Sequence, residues 1–495
     1  MYMFVLIFVV FVLVVCFNHY RTIKGLPPGP FPLPFVGNLH QLDTNAPHET
    51  LTKWGQQYGG IFTAWLTKPH VVITDYELIK EALIKNGDIF AGRPRGFLLD
   101  TFSRGNYGIV MSEGHKWREQ RRFALHVLRD FGFGRNLMET KILDQTQALV
   151  NNITNSLNEG TAELNLTPLL ELAVGNIISN VVFGHTFDEE IDRFEYLKSL
   201  LAENFLLLRT PQALMLDTIP WLRFLPLWNG FYHKTIVRNM DSMLAFFRDE
   251  IDLHRGEIDH DVEPKDFLTA YLQEMDKRKV NGEAGSFTDW QLNVLTGDIW
   301  VAGMETTVTT LRWALLYMIL HPDVQGKIQE EIDSVIGKDR QVEMKDRTLM
   351  PYTAATVNET QRMANILPLN IQHKNTETVT LGGHVIPEGS IVLPQVASVL
   401  SDPKIFPEPD KFDPTRFLES DRKSVKKSEE LIPFSIGKRQ CLGESLARME
   451  LFLIFTTLLQ KFRFSVPPGS HQPTTKPQMG ITLTPQKYLC LIEER

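Results

Sequence analysis

Cysteine is scarce in this sequence, and its scarcity limits the covalent architecture of the chain. Only Cys16, Cys441 and Cys490 occur among the 495 residues. Cys16 lies in an apolar N-terminal run and Cys490 lies near the C-terminus, so a framework of disulfide bonds is not expected. The sparse use of cysteine fits a reducing compartment for the folded part of the chain.

The sequence also lacks an excess of positive charge. It has 51 Lys and Arg residues against 59 Asp and Glu residues, which gives a formal net charge of -8. We expect no general binding to nucleic acid, because an acidic protein repels the phosphate backbone. No linker divides the body. Length alone allows two or three domains, and one continuous unit is equally compatible with it.

Side-chain charge is absent from residues 1–17, which are mainly Val, Phe, Leu and Ile. Arg21 and Lys24 follow, and the positive-inside rule would keep them in the cytosol. We therefore predict a single-pass membrane anchor over residues 1–20, with the catalytic body in the cytosol. A cleaved signal peptide is the alternative, although no basic n-region and no small-residue cleavage site are clear.

A basic and proline-rich hinge is predicted over residues 21–36. Residues 26–34 read Leu-Pro-Pro-Gly-Pro-Phe-Pro-Leu-Pro. Proline at this density prevents a helix or an inner strand, so the segment is expected to be a stiff, extended spacer. Residues 37–495 would then form the catalytic domain.

One cysteine lies in a segment that suits an anionic sulfur. Residues 434–443 read Phe-Ser-Ile-Gly-Lys-Arg-Gln-Cys-Leu-Gly, and an amphipathic helix is predicted to follow. A helix N-terminus and the neighbouring Arg439 would both favour the thiolate of Cys441. Gly437 and Gly443 would let the backbone approach a flat ligand and donate N–H groups to the sulfur. A buried structural cysteine is the alternative for this residue taken alone.

A second candidate group lies within residues 114–122, Gly-His-Lys-Trp-Arg-Glu-Gln-Arg-Arg. On a helix, Trp117 and Arg121 are four residues apart and share a face. An indole N–H and a guanidinium that point the same way suit one carboxylate. A solvated basic helix is the alternative.

A very long helix is predicted over residues 288–321, with a capping box formed by Thr288 and Gln291. Residues 302–307 at its centre read Ala-Gly-Met-Glu-Thr-Thr. A glycine and a run of threonines are poor choices for a helix interior, and such a conflict is expected at a functional site. Close packing of a core helix would explain the small residues, but it does not explain the adjacent acid and alcohol.

These motifs together resemble those of the cytochrome P-450 family. Residues 434–443 match its haem-thiolate loop, F-x-x-G-x-R-x-C-x-G, and residues 302–307 match its A-G-x-[DE]-T-T element. Residues 117–121 match W-x-x-x-R, and residues 412–417 match F-x-P-x-R-F. The resemblance covers nearly the whole chain. It implies the cytochrome P-450 fold, mainly α with a smaller β region, preceded by a transmembrane anchor in the endoplasmic reticulum membrane.

The resemblance also implies roles for individual residues. Cys441 would be the axial ligand of the iron in haem b, and thiolate ligation favours cleavage of the O–O bond. Thr306 would donate a hydrogen bond to dioxygen and order a water, which Glu305 would link to solvent. The other residues implied to contact haem are Phe434, Gly437, Arg439, Gly443, Ala302, Arg93, Trp117, Arg121 and His373, and for His373 a surface or core role is an even alternative. The residues implied to be structural are Glu359, Arg362 and Arg416.

The resemblance finally implies an activity and partners. A monooxygenase would insert one oxygen atom from O2 into a lipophilic xenobiotic, fatty acid or steroid. Electrons would come from NADPH through NADPH–cytochrome P-450 reductase, with cytochrome b5 as a second electron donor. Arg118, Arg122, Arg129, Arg135 and Lys438 would form a basic patch for an acidic electron-transfer partner. The alternatives are a P-450-type peroxide isomerase or dehydratase and a non-catalytic haem-binding sensor.

Overall fold

The computed structural model describes residues 3–4, 20–34, 36–66, 68–130, 136–208 and 210–495. Most of the predicted membrane anchor, namely residues 1–2 and 5–19, therefore lies outside the described residues, and so does Arg135. In the ranges that the structure describes, no helix has the length and apolar character needed to cross a bilayer.

Helices dominate the described residues. In chain order they are α1 (Pro47–Tyr58), α2 (Tyr76–Lys80), α3 (Phe97–Ser103), α4 (Gly114–Asp130), α5 (Asn136–Asn158), α6 (Thr167–Val182), α7 (Ile191–Leu208), α8 (Pro211–Thr218), α9 (Pro226–Phe231), α10 (Arg238–Glu257), α11 (Phe267–Val280), α12 (Asp289–Leu320), α13 (Pro322–Val335), α14 (Pro351–Ala364), α15 (Val396–Leu400) and α16 (Glu444–Lys461). This confirms the prediction of a mainly helical chain.

The strands are short. They are β1 (Ile61–Leu66), β2 (Lys68–Ile73), β3 (Glu163–Leu164), β4 (His373–Lys374), β5 (Val379–Leu381), β6 (His384–Ile386), β7 (Ile391–Pro394), β8 (Phe462–Ser465), β9 (Gln478–Met479), β10 (Leu483–Thr484) and β11 (Cys490–Glu494). The chain divides into two compact units. The β-rich unit contains the residues up to Pro94 together with Leu367–Pro409 and Ile432–Cys441, and the helical unit contains Arg95–Ile366, Asp410–Leu431 and Leu442–Arg495.

The β-rich unit is built on a four-stranded sheet of order β1-β2-β7-β4. Strands β1 and β2 are antiparallel, with Ile61 opposite Ile73, and β2 and β7 are parallel. Phe62 and Val72 are fully buried against α1, whose Trp54 contacts the ring of Phe62 edge-on. Apolar side chains on one face of each strand thus supply the core of this unit.

The helical unit is organised around α12, most of whose side chains are buried. The side chain of Thr288 caps this helix by accepting a hydrogen bond from the backbone N–H of Gln291 at 3.1 Å. Gly303 permits close contact with α6, since a Cβ there would lie 2.7 Å from Cδ1 of Ile178. The smaller sheets of this unit have the strand orders β3-β11-β8 and β10-β9.

One part of the predicted capping box is wrong. The side chain of Gln291 binds Gly108 instead of the helix cap: its Nε2 donates to the carbonyl oxygen at 3.0 Å, and its Oε1 accepts from the N–H at 3.2 Å. A distant backbone segment that needs both a donor and an acceptor therefore outcompetes the local cap.

Candidate active site

The cysteine loop ends the β-rich unit. Cys441 is exposed, and its backbone N–H donates to the carbonyl oxygen of Phe434 at 3.0 Å, which closes the loop. Gly437 has a φ of +81°, and a Cβ there would collide with the carbonyl oxygen of Leu83. Glycine at position 437 is thus required within the protein itself, because it lets the loop lie directly on the backbone of the turn at Leu83. Its predicted approach to a flat ligand stays a prediction.

Gly443 differs from Gly437. It precedes α16 as the N-cap residue, and a Cβ there would have no heavy atom of the described residues within 4 Å. The space beside its Cα is open, which suits the approach of a flat ligand to the backbone. Helix α16 begins at Glu444, as the sequence predicts.

A buried cationic group lies in the β-rich unit. Arg93 and Arg439 are 4% and 8% exposed, and His373 is 2% exposed. Arg93 donates to the carbonyl oxygen of Gln372 at 2.7 Å, and Nε of Arg439 donates to that of Ala91 at 2.8 Å. Burial, together with the charges of Arg93 and Arg439, lowers the pKa of His373 to about 3, while the hydrogen bond with Phe90 acts in the opposite direction.

His373 is therefore neutral near pH 7. Its Nδ1–H donates to the carbonyl oxygen of Phe90 at 2.7 Å, so its Nε2 is an acceptor. A contact with a carboxylate would require Nε2 to gain a proton, and an anion placed beside Arg93, Arg439 and His373 would favour that gain.

These residues fit haem. An exposed thiol at the end of a loop is a soft ligand for iron. Two buried guanidinium groups in the same unit suit the two carboxylates that protoporphyrin carries, because a guanidinium donates paired hydrogen bonds to a carboxylate. We therefore treat Cys441, Arg93 and Arg439 as the residues of the β-rich unit that would hold the cofactor.

The Trp117–Arg121 pair belongs to the helical unit. Both side chains lie on one face of α4, as predicted, because the guanidinium of Arg121 is 6.0 Å from the ring centroid of Trp117. Trp117 is 4% exposed. Glu119 anchors the same helix through hydrogen bonds from Nη1 of Arg278 at 2.5 Å and from Oγ of Ser286 at 2.6 Å.

The centre of α12 carries the predicted acid–alcohol pair. The Oγ1 of Thr306 donates to the carbonyl oxygen of Ala302 at 2.7 Å. Glu305 accepts hydrogen bonds from Oγ1 of Thr482 at 3.0 Å and from Oγ1 of Thr309 at 3.4 Å. Burial raises the pKa of Glu305 above its usual value. An acid with a raised pKa can hold and release a proton closer to neutral pH.

The predicted ion network of Glu359, Arg362 and Arg416 is present in the helical unit. Nε of Arg362 donates to Glu359 at 2.7 Å, and Nε of Arg416 donates to the same carboxylate at 3.0 Å. The backbone N–H of Asp413 adds a hydrogen bond at 2.9 Å. The carboxylate of Glu359 is fully buried and shared by two arginines, so the network stabilises the fold around it.

Sequence reasoning did not predict the polar contacts of two acids. Asp298 accepts hydrogen bonds from the backbone N–H groups of Ile109 at 2.7 Å and Val110 at 3.0 Å, and burial raises its pKa to about 6. Glu450 on α16 accepts a hydrogen bond from Thr307 at 2.9 Å. The sequence does contain a signal that Glu450 is buried, because this acid lies between Met449 and the apolar run that begins at Leu451.

The mainly helical chain, its small sheets and its cysteine loop directly ahead of a helix define the class of the cytochrome P-450 proteins. The family model described as cytochrome P-450 matches residues 27–492, so this chain belongs to that family. It is therefore a P-450 monooxygenase, an oxidoreductase whose family uses haem and O2.

Individual relatives agree with this assignment. The chain is 40% identical to cytochrome P-450 2J2 of Homo sapiens over 494 residues, which cover 98% of this chain and 95% of that protein. It is 39% identical to cytochrome P-450 2C3 of Oryctolagus cuniculus over 473 residues, covering 95% and 94% of the two chains. It is also 39% identical to cytochrome P-450 2D27 of Mesocricetus auratus over 491 residues, covering 97% and 96%. These relatives are animal members of family 2.

Proposed function

We propose that this monooxygenase inserts one oxygen atom from O2 into a lipophilic small molecule, with Cys441 as the thiolate ligand of haem iron. In the balanced reaction, substrate, O2, NADPH and a proton give hydroxylated substrate, water and NADP+. The observation that carries the proposal is the exposed thiol of Cys441 in the same unit as buried Arg93 and Arg439.

The chain's own residues would bind the cofactor and move protons. When bound, haem supplies an iron that activates dioxygen, and a thiolate ligand favours cleavage of the O–O bond. Arg93, Arg439 and the Trp117–Arg121 pair would hold the cofactor's carboxylates. Arg362, Arg416 and Glu359 would stabilise the surrounding fold.

Proton movement would involve Thr306 and Glu305. Thr306 would rotate its hydroxyl away from the carbonyl oxygen of Ala302 to order a water, while Glu305, held by Thr482, would exchange protons with solvent. A raised pKa of Glu305 supports this role, because the protonated form of the acid is then populated closer to neutral pH.

The remaining parts of the proposal concern location and partners. Residues 1–20 would anchor the chain in the endoplasmic reticulum membrane, with residues 21–36 as the hinge and residues 37–495 as the cytosolic catalytic domain. NADPH–cytochrome P-450 reductase would supply the electrons, with cytochrome b5 as a further partner. Exposed Trp221, Phe224 and Leu227, which are 59%, 69% and 83% accessible, support contact with lipid.

A carbon monoxide difference spectrum of the reduced protein tests the ligand assignment. We expect a strongly red-shifted Soret band, which thiolate ligation produces, and we expect it to be lost in Cys441→Ser. Cys490→Ala is the matched control, because Cys490 is buried in β11 and its Sγ donates to the carbonyl oxygen of Leu164. A red-shifted band that persists in Cys441→Ser would refute the assignment.

A further inference from the structure

Glu450 is a buried titratable group with no part in the proposed chemistry. It lies on α16, among Leu451, Phe452 and Leu453, and it is 2% exposed. Its carboxyl group accepts a hydrogen bond from Oγ1 of Thr307 at 2.9 Å. Thr307 follows Thr306 directly on α12, so the bond joins α16 to the part of α12 that carries the acid–alcohol pair.

This hydrogen bond matters because α16 directly follows the cysteine loop in the chain. Helix α16 begins at Glu444, and only Leu442 and Gly443 separate it from Cys441. Only two residues of chain therefore separate the start of α16 from the cysteine. On α12, the same hydrogen bond lies one residue from the proposed proton relay.

The charge state of Glu450 decides whether this packing is favourable. Burial raises the pKa of Glu450 to about 8, and the hydrogen bond from Thr307 acts in the opposite direction. Near pH 7 the group is therefore mostly protonated and neutral. Above pH 8 it is mostly ionised, and a buried carboxylate with one hydroxyl donor is poorly solvated, so it favours the entry of water between the helices.

Several titratable groups on α16 and on the helices packed against it have partners of their own. The pairs are Glu444 with Arg448 on α16, Glu305 with Thr482 for α12, Glu331 with Thr353 for α13, Glu359 with Arg362 on α14, Asp346 with Arg340 in the turn Met344–Leu349, and Glu139 of α5 with the backbone N–H of Met344. The described surroundings of Glu450 thus offer Thr307 as its polar contact and no charge that shifts its pKa.

We propose that Glu450 is a positioning residue that, while protonated, holds the helix following the cysteine loop against the helix that carries Glu305 and Thr306. Its ionisation admits water to this contact and loosens the packing of α16. The consequence for Cys441 rests on the proposed function, since it assumes that this thiolate binds haem iron. The consequence for the helix contact does not.

Two measurements across pH 5–9.5 on the full-length protein test this inference. In the wild type, the thermal unfolding temperature should fall as pH rises from about 5 and should level off above about pH 8, because Glu450 is ionised in the unfolded chain above its ordinary pKa of 4.5 but in the folded chain only above about 8. The thiolate-type carbon monoxide band, which reports the folded protein, should decline with a midpoint near pH 8. Glu450→Gln keeps the size of the side chain and an acceptor for Thr307 but cannot ionise. It should therefore lack the fall in unfolding temperature that Glu450 causes between pH 5 and pH 8, and it should keep the band through pH 8. Glu283→Gln, at an exposed position after α11, is the matched control and should titrate as the wild type does.

A second pair of variants keeps the test decisive if Glu450→Gln folds poorly. Thr307→Ser retains the hydroxyl donor, whereas Thr307→Val removes it and so raises the pKa of Glu450 further. The midpoint for Thr307→Val should therefore lie above that for Thr307→Ser. Identical pH profiles in wild type, Glu450→Gln and Thr307→Val would overturn the inference. If the wild type shows no thiolate-type band at any pH, the proposed ligand is wrong, and the unfolding temperatures still decide the role of Glu450.

Discussion

At the scale of single residues, the two glycines of the cysteine loop separate a requirement of the fold from a requirement of the ligand. The sequence motif treats Gly437 and Gly443 alike. In the structure, only Gly437 combines a positive φ with a backbone oxygen, that of Leu83, in the place of a Cβ. The motif therefore marks both glycines as important. It cannot say which contact requires each of them, because Leu83 is remote in sequence.

We expect Gly437→Ala to lower the free energy of unfolding by about 3 kcal/mol or more, since the methyl group would force a backbone shift in addition to the cost of the positive φ. Gly443→Ala is the matched control and should cost about 1 kcal/mol or less in unfolding, as an N-cap change with open space around it. Denaturant unfolding of both variants measures the difference. Equal losses would contradict the distinct role assigned to Gly437.

At the scale of secondary-structure elements, the sequence predicts the features that depend on neighbouring residues. It does not predict the hydrogen bonds between residues that are distant in the chain. The predicted helix over 288–321 is α12, Asp289–Leu320, because its cap and the following proline are local. The side chain of Gln291 was assigned wrongly because its partner, Gly108, is 183 residues away. The hydrogen bond of Glu450 could not be predicted for the same reason, since Thr307 lies on another helix. The network of Glu359, Arg362 and Arg416 was predicted only through the family motif.

The contact of α10 with the turn after α6 and with the start of α7 illustrates a long-range contact that depends on pH. Nε2 of His185 donates to the buried carboxylate of Glu250 at 2.9 Å, and Arg193 pairs with the same carboxylate at 2.7 Å. The hydrogen bond to Glu250 is the largest cause that raises the pKa of His185. Because the folded-state pKa lies above the unfolded value of 6.5, the stabilisation is complete below pH 6.5 and is lost as pH rises through the folded-state pKa.

We therefore expect the unfolding temperature of the wild type to fall more between pH 6 and pH 8 than that of His185→Gln, which cannot gain a proton. The effect should be modest, about 1 kcal/mol or less, because the His185 side chain is 42% exposed and solvent screens the pair. His471→Gln, at an exposed position, serves as the control. A steeper fall in His185→Gln than in the wild type would contradict this reading of the contact.

At the scale of the whole molecule, the net charge of -8 contrasts with local groups of exposed basic side chains. Arg118, Arg122 and Arg129 are exposed on α4 of the helical unit. Lys438 is exposed in the β-rich unit and lies 3.5 Å from Asp88. Such local positive charge on an acidic protein can steer an acidic redox partner, and steering of this kind weakens as salt screens it.

If the proposed reductase is the electron donor, we expect Arg122→Gln with Arg129→Gln to slow electron transfer from it about tenfold at low salt and much less at 0.5 M salt, because exposed charges act mainly on the association rate. Lys438→Gln tests the β-rich unit separately. Lys279→Gln, an exposed lysine at the end of α11, controls for the loss of one positive charge. Stopped-flow reduction under carbon monoxide measures the rate directly. If the arginine variants slow reduction equally at both salt concentrations, their effect is structural; if they leave it unchanged, the partner docks elsewhere.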